Sequence, residues 1–142
     1  MADGQTITTM LMFTGQAEEA MAFYAGLFAD SGIDFVQHYG PGYPGPEGQV
    51  VHARFRLAGQ PYLAMDSHVE QSVGFNPRIS FFVTCPSGDE VDRLYGALSQ
   101  GGEALMALDG YPFAERYAWV QDRFGVSWQL MFAGDRAPGS TR

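Results

Sequence analysis

The sequence predicts an α+β protein built from two consecutive βαβββ modules. Two observations carry that expectation. Phe23-Tyr24-Ala25-Gly26-Leu27 recurs loosely as Leu94-Tyr95-Gly96-Ala97-Leu98, and the same offset of 71 residues lays Ile7–Phe13 on Arg78–Thr84. Each of those apolar runs precedes a helical pattern, and each helical pattern precedes short strand-like stretches. A repeat of this length marks two copies of one supersecondary unit.

The elements follow in order. Ile7 to Phe13 is a short apolar run suited to a strand covered on both faces. Thr14-Gly15-Gln16 opens a helix. Ala20, Met21, Tyr24, Leu27 and Phe28 recur at helical spacing, with Glu18 and Glu19 in the first turn, where the helix dipole favours them. Asp30-Ser31-Gly32 is expected to end it, and Ile33 to Tyr39 reads as a strand. Residues 40 to 48 are a breaker-rich loop. Val50 to Leu57 alternates, Ala58-Gly59-Gln60 turns, and Pro61 to Asp66 returns as a hairpin partner. Residues 67 to 77 read as the linker between modules spanning about 5–66 and 78–133.

In the second module Arg78 to Thr84 is the first strand. Ser87-Gly88-Asp89-Glu90 matches a capping box. Val91, Leu94, Tyr95 and Leu98 mark a buried helical stripe that Gly101-Gly102 ends. Glu103 to Leu108, Glu115 to Asp122 and Ser127 to Phe132 supply three more strands. Residues 134–142 read as a disordered tail.

Composition narrows the classes of partner. The 142 residues carry 16 acidic and 8 basic side chains, a formal net charge of −8. So few cations disfavour nucleic acid and anionic membranes. The single cysteine, Cys85, leaves no intrachain disulfide, and no apolar run approaches the ~18 residues of a membrane span. Met1 to Gln5 lack the basic-then-apolar pattern of a secretory leader. A cytoplasmic protein is expected.

Gln16-Ala17-Glu18-Glu19-Ala20-Met21-Ala22-Phe23-Tyr24, Gly45-Pro46-Glu47-Gly48, Glu90-Val91-Asp92-Arg93-Leu94 and Asp122-Arg123-Phe124-Gly125-Val126-Ser127-Trp128-Gln129 together resemble the PhnB-like branch of the vicinal oxygen chelate superfamily. This is the superfamily of glyoxalase, bleomycin-resistance and dioxygenase proteins, and the resemblance covers about residues 5 to 133. It implies a curved, mostly antiparallel eight-stranded sheet with the helices outside, and a homodimer with Phe75, Tyr111, Pro112 and Phe113 as interface candidates. It also implies four metal-ligand positions, which fall on Thr9, about Ala64, Arg78 and Gln129. None is His, Asp or Glu, and a guanidinium cannot ligate a cation. A register shift would bring in Asp66 or His68, which is still too few ligands. No metal and no cofactor are therefore expected. The branch is often described as a methyltransferase of the ubiquinone type. The glycines, however, lie in the 40–48 loop and at helix ends, not in the strand–turn–helix context of a nucleotide-type cofactor.

Strand parity supplies candidate site residues. Val51, Ala53, Phe55 and Leu57 share one face of their strand, so His52, Arg54 and Arg56 share the other. The same alternation sends Ile79, Phe81 and Val83 to the helices and Arg78, Ser80 and Phe82 to the concave side. Trp128 and Leu130 go inward, with Ser127, Gln129 and Met131 opposite. By resemblance Tyr117, Trp119 and Gln121 join the concave face. A ligand site is thus expected at Arg54, Arg78, Trp119, Tyr117, Gln129, His52, Phe82 and Tyr62, suited to a small anionic or aromatic molecule. A second reading of the arginines stays open: pairing with Asp34, Asp66 or Asp122, or solvation. His52 and His38 titrate near neutrality but lack a partner acid or nucleophile at recognisable spacing. Cys85 reads as inert and partly buried, and His68 as exposed.

Two functions fit. One is a metal-free small-molecule binding protein. The alternative is an enzyme of the superfamily's lyase, isomerase or dioxygenase type, with a displaced metal site or with acid–base chemistry at His52.

Overall fold

The computed structural model describes residues 6–42, 44–68 and 74–136. The chain divides into two compact units, residues 1–72 and 73–142. Each carries one helix and one four-stranded sheet, so the eight strands stand as two sheets of four.

The first unit contains β1 (Met10–Phe13), α1 (Ala17–Ala25), β2 (Gly32–His38), β3 (Val50–Leu57) and β4 (Gln60–Asp66). Its sheet order is β1-β4-β3-β2, with β1 parallel to β4 and the other pairs antiparallel. Ala17, Ala20, Met21 and Tyr24 form the buried stripe of α1, which packs mainly on β3, β2 and β4. The sheet offers Ala53, Phe55 and Leu57 to that core, as alternation requires. Val50, not Val51, is buried at the start of β3. Gln37 pairs with His52 but His38 pairs with Val50, so Val51 is the extra residue of a bulge and loses its place in the alternation.

The expected first strand begins late. Ile7 is 87% exposed, and the Thr9 carbonyl, accepting from Leu63 N–H, extends the pairing ahead of Met10. The helix also ends earlier than Asp30. Gly26 N–H is shared between the Ala22 and Phe23 carbonyls, Leu27 N–H turns back to Tyr24, and Asp30 takes a positive φ of 51°. That carbonyl of Asp30 then receives Gly59 N–H from the β3–β4 turn.

The second unit contains β5 (Ser80–Thr84), α2 (Gly88–Leu98), β6 (Glu103–Tyr111), β7 (Ala114–Gln121) and β8 (Ser127–Phe132), in sheet order β5-β8-β7-β6 with β5 parallel to β8. The Ser87 cap is present: its Oγ accepts from Glu90 N–H at 3.2 Å. Val91, Leu94 and Leu98 bury the helix against β7 and β8, and Asp92 on α2 reaches Arg116 on β7 at 2.8 Å. Here too the first strand starts late. Pro77 and Arg78 lie in a turn closed by Arg78 N–H on the Asn76 side chain, and Ile79, expected against the helix, is 82% exposed. β6 runs on to Tyr111 through three irregularities in its pairing with β7. Of the expected tail, residues 134–136 are tied back, with Asp135 N–H on Glu115 and the Arg136 guanidinium on the Tyr111 carbonyl. Residues 137–142, and 69–73 of the expected linker, lie outside the described residues. Ser67 stays with the first unit through its N–H on the Phe13 carbonyl.

One carboxylate closes the first unit. Asp66, at the end of β4 and 1% exposed, accepts Gly15 N–H at 2.7 Å and Ala17 N–H at 3.0 Å on Oδ1, and Val50 N–H at 2.9 Å on Oδ2. Gln16 makes no side-chain cap bond, so Asp66 caps α1 from a distance. Each buried donor left unpaired costs about 1–3 kcal/mol. Asp66→Ala should therefore lower the unfolding free energy by about 3 kcal/mol or more in urea titrations, with Asp66→Asn losing less because one oxygen remains. The β3–β4 turn gives a stabilising prediction. Ala58 and Gly59 both have positive φ, 50° and 81°, the pattern that favours Asn-Gly. Ala58→Asn should raise unfolding stability by about 0.5–1 kcal/mol on the same assay.

Candidate functional site

Each sheet buries one face under its helix and presents a second face, and the candidate residues divide between those second faces. On the first sheet a single row crosses all four strands: Met10, Leu63, Arg54 and Phe35 are register partners in turn. Met12 and Met65 pair beside it. Arg54 is therefore set in an apolar row. Its guanidinium carbon lies 4.9 Å from the centre of the Phe35 ring, a cation–π contact. Its Nε is buried and has no hydrogen-bond partner among the described residues. Arg56, two residues on, is held differently: it pairs with Asp34 and reaches Asp30 at 3.6 Å. For Arg56 the second reading of the arginines holds, pairing with Asp34, and its acids come from β2 and the turn before it. His52 lies beside Phe35, with ring centres 6.2 Å apart.

Tyr62 also needs correction. It is the register partner of Phe55, and the rings stand 5.5 Å apart. Directly opposed residues share a face, so Tyr62 looks toward α1 and Leu63 takes the open position. Burial raises the Tyr62 phenol above its ordinary range. Ala64 is buried on that same helix side, opposite Ala53.

The open face of the second sheet carries three rows. Phe82, Gln129, Trp119 and Met106 are partners across β5, β8, β7 and β6. Ser80, Ser127, Gln121 and Glu103 form the row on one side, and Thr84, Met131, Tyr117 and Asp109 the row on the other. A hydrogen-bond chain links them. Tyr117 donates to Gln129 Oε1 at 2.7 Å, Gln129 Nε2 donates to Ser80 Oγ at 3.4 Å, Ser80 and Ser127 hydroxyls meet at 2.6 Å, and the Trp119 indole donates to Ser127 at 2.9 Å. Tyr111 and Phe113 pack edge-on to Tyr117. Burial, with Tyr111 adding to it, pushes the Tyr117 phenol up and keeps it a donor. Arg78 is exposed in the turn before β5. Parity reached Phe82, Ser80, Ser127 and Gln129, and the resemblance reached Tyr117 and Trp119. Both missed Phe35, whose β2–β3 register the long 39–49 connection hides, and the methionines, which come from β1 and β4.

Trp128 is fully buried on the other side, its ring 4.6 Å from Phe81 and its indole donating to Asp122 Oδ2 at 2.9 Å. Asp122 Oδ1 accepts Phe124 and Val126 N–H, which fixes the β7–β8 turn.

These residues do not fit a divalent ion at the positions the superfamily implies. Ala64 has no donor atom and faces the helix, Arg78 carries a fixed positive charge, and the Gln129 oxygen already accepts from Tyr117. Both oxygens of Asp66 are taken by backbone N–H groups. Among the described residues no three His, Cys, Asp or Glu side chains come together. His38 pairs with Glu18 at 2.7 Å, and His68 approaches the Tyr39 hydroxyl at 3.3 Å.

Cys85 is buried, and burial, with Glu90 nearby, pushes its thiol up to about 11. A thiol that holds its proton longer when folded stabilises fully below the ordinary cysteine range, and that contribution is lost as pH rises toward about 11. At pH 8 the thiolate fraction falls roughly a hundred-fold below that of a free cysteine. Iodoacetamide should label Cys85 at the ordinary rate only in the unfolded chain, as followed by mass spectrometry.

A family model described as 3-demethylubiquinone-9 3-methyltransferase matches residues 5–131. A solved structure titled as a putative 3-demethylubiquinone-9 3-methyltransferase, PhnB protein, from Bacillus cereus is 46% identical with a TM-score of 0.89, over 91% of this chain and 100% of that one. Protein PA1353 from Pseudomonas aeruginosa is 26% identical with a TM-score of 0.77, over 91% and 98%. A glyoxylase/bleomycin resistance protein/dioxygenase domain from Frankia sp. EAN1pec shares the fold at 14% identity, with a TM-score of 0.60 over 93% and 99%. Among curated relatives, the uncharacterized protein Mb0911c of Mycobacterium bovis is 29% identical over 96 residues, and the match spans 61% of each chain. The fold is thus that of the glyoxalase and bleomycin-resistance proteins, and the chain belongs to the PhnB-like family described as 3-demethylubiquinone-9 3-methyltransferase.

Proposed function

We propose that this chain is a binding protein for a small, partly aromatic anion, which it holds through its own side chains. The observation that carries the reading is Arg54. A guanidinium is always charged, and this one sits in a row of Met10, Leu63 and Phe35 with a buried Nε that has no hydrogen-bond partner among the described residues. A charge in apolar surroundings is costly unless something pairs with it. A carboxylate or similar oxyanion would pair with it, and Phe35 would contact the rest of the ligand. His52, whose ring centre lies 6.2 Å from that of Phe35, adds ring surface.

Methyl transfer, the activity in the family's description, finds less support in the local chemistry. A nucleotide-like methyl donor is commonly held at free N–H groups where a glycine turn opens a helix. Here Asp66 occupies Gly15 and Ala17 at the start of α1, and Ser87 occupies the start of α2. Cys85, whose thiol is held protonated, is no ready nucleophile. We include a homodimer in the proposal, with the stacked Tyr111 and Phe113 as interface material.

Calorimetric titration with benzoate tests the reading. Binding should be saturable, and Arg54→Ala should weaken it roughly ten- to a hundred-fold, the loss of a charge-assisted contact of about 1.5–3 kcal/mol. Arg56→Ala should change it little, because Asp34 and Asp30 already hold that side chain. Binding that ignores Arg54, or one equivalent of tightly held transition metal in protein purified without chelator, would turn the assignment toward an enzyme.

A further inference from the structure

The hydrogen-bond chain on the second sheet has a direction, and the direction selects a ligand. Ser127 is 1% exposed, so its hydroxyl proton must go to an acceptor inside the protein. Its oxygen already accepts the Trp119 indole N–H at 2.9 Å, and the Ser80 hydroxyl lies 2.6 Å away. If Ser80 donated to Ser127, Ser127 would accept twice and its own proton would be buried without a partner. Ser127 therefore donates to Ser80. Ser80 Oγ also receives Gln129 Nε2 at 3.4 Å, so both of its lone pairs are engaged. At the other end Tyr117 donates to Gln129 Oε1. Among the described residues two hydrogens are left over: the hydroxyl proton of Ser80, half-buried on the edge strand, and the second amide proton of Gln129. The network ends in donors.

Those donors lie in an aromatic setting. Gln129 is the register partner of Phe82 on one side and of Trp119 on the other. Phe82 is 53% exposed, the widest exposure of any large apolar side chain in β5. Neighbouring strands stand about 4.8 Å apart, so the two rings rise from positions about 10 Å apart, with Gln129 as the floor between them.

We infer that this face is a subsite for a planar ring carrying a carbonyl-type oxygen. Ser80 Oγ and Gln129 Nε2 donate to that oxygen, and the ring lies between Phe82 and Trp119. The inference rests on the binding reading above and adds its selectivity: the subsite accepts ring ketones and carboxylates and rejects ring amines, whose N–H groups would meet donors.

The test is a titration of the full chain, labelled with nitrogen-15, with acetophenone, benzoate and aniline. The Trp119 indole signal, assigned by its loss in Trp119→Phe, and the Gln129 amide signals report the subsite directly. Acetophenone should shift them saturably, and aniline should bind at least roughly five-fold more weakly. Ser80→Ala should weaken acetophenone roughly three- to ten-fold, while Ser80→Thr, which keeps the hydroxyl, should retain the affinity. Arg93→Ala, whose guanidinium is held by Glu90 on α2, should leave acetophenone binding unchanged. Equal binding of aniline and acetophenone, no response at Trp119, or indifference to Ser80→Ala would each overturn the subsite alone. Benzoate binding that ignores Arg54, with acetophenone still dependent on Ser80, would overturn the Arg54 reading and leave the subsite standing. Failure of every probe to bind would overturn both.

Discussion

Each module is closed by one buried aspartate at the end of a strand. Asp66 gathers the start of α1, the start of β3 and the end of β4 around a single carboxyl group. The start of α1 depends on it, because Gln16 makes no side-chain cap bond there. Hydrogen bonds to a carboxylate are stronger than those between neutral groups, and here three meet where water cannot replace them. Asp122 does comparable work in the second module. It orders the turn through Phe124 and Val126 and orients Trp128, the largest side chain of that core. Two carboxylates that read as possible arginine partners or ligands are therefore committed to backbone N–H groups and, for Asp122, to the Trp128 indole.

With those anchors set, alternation assigns the rest. The helices claim Ala53, Phe55 and Leu57 in one sheet and Ala118, Val120, Trp128 and Leu130 in the other. What remains on the second faces is chemically unlike in the two modules. The first presents methionine, leucine and phenylalanine around one arginine. The second presents serines, glutamine, tyrosine and tryptophan joined by hydrogen bonds. Repetition of the scaffold has not meant repetition of the surface, since period-two side chains can diverge on one face while the other stays fixed by packing.

The absence of acidic and imidazole donors at the positions where relatives of the superfamily hold a metal is a statement about side chains. A fixed cation at Arg78, a methyl group at Ala64 and an engaged amide at Gln129 change what these positions can do. The function proposed above takes them as suited to negative or acceptor groups.

Much of this was legible in the sequence. The 71-residue offset, the Ser87 capping box and the clean alternation of β3 are local signals, and local chemistry produced the two modules, the α2 cap and the open-face positions of Arg54, Phe82 and Gln129, while Trp119 came from the resemblance. Tertiary structure decided the rest. Strand ends depend on where a partner stops, so β1 and β5 began later than their apolar runs. Tyr62 and Val51 changed faces because parity within a strand is fixed only once a bulge and a cross-strand register are known. Whether an arginine is free depends on which acids the fold brings near: β2 and its preceding turn brought Asp34 and Asp30 to Arg56 and brought Phe35 to Arg54. Asp66 looked like any strand-end acid until three N–H groups, from residues 16 to 51 positions away, converged on it.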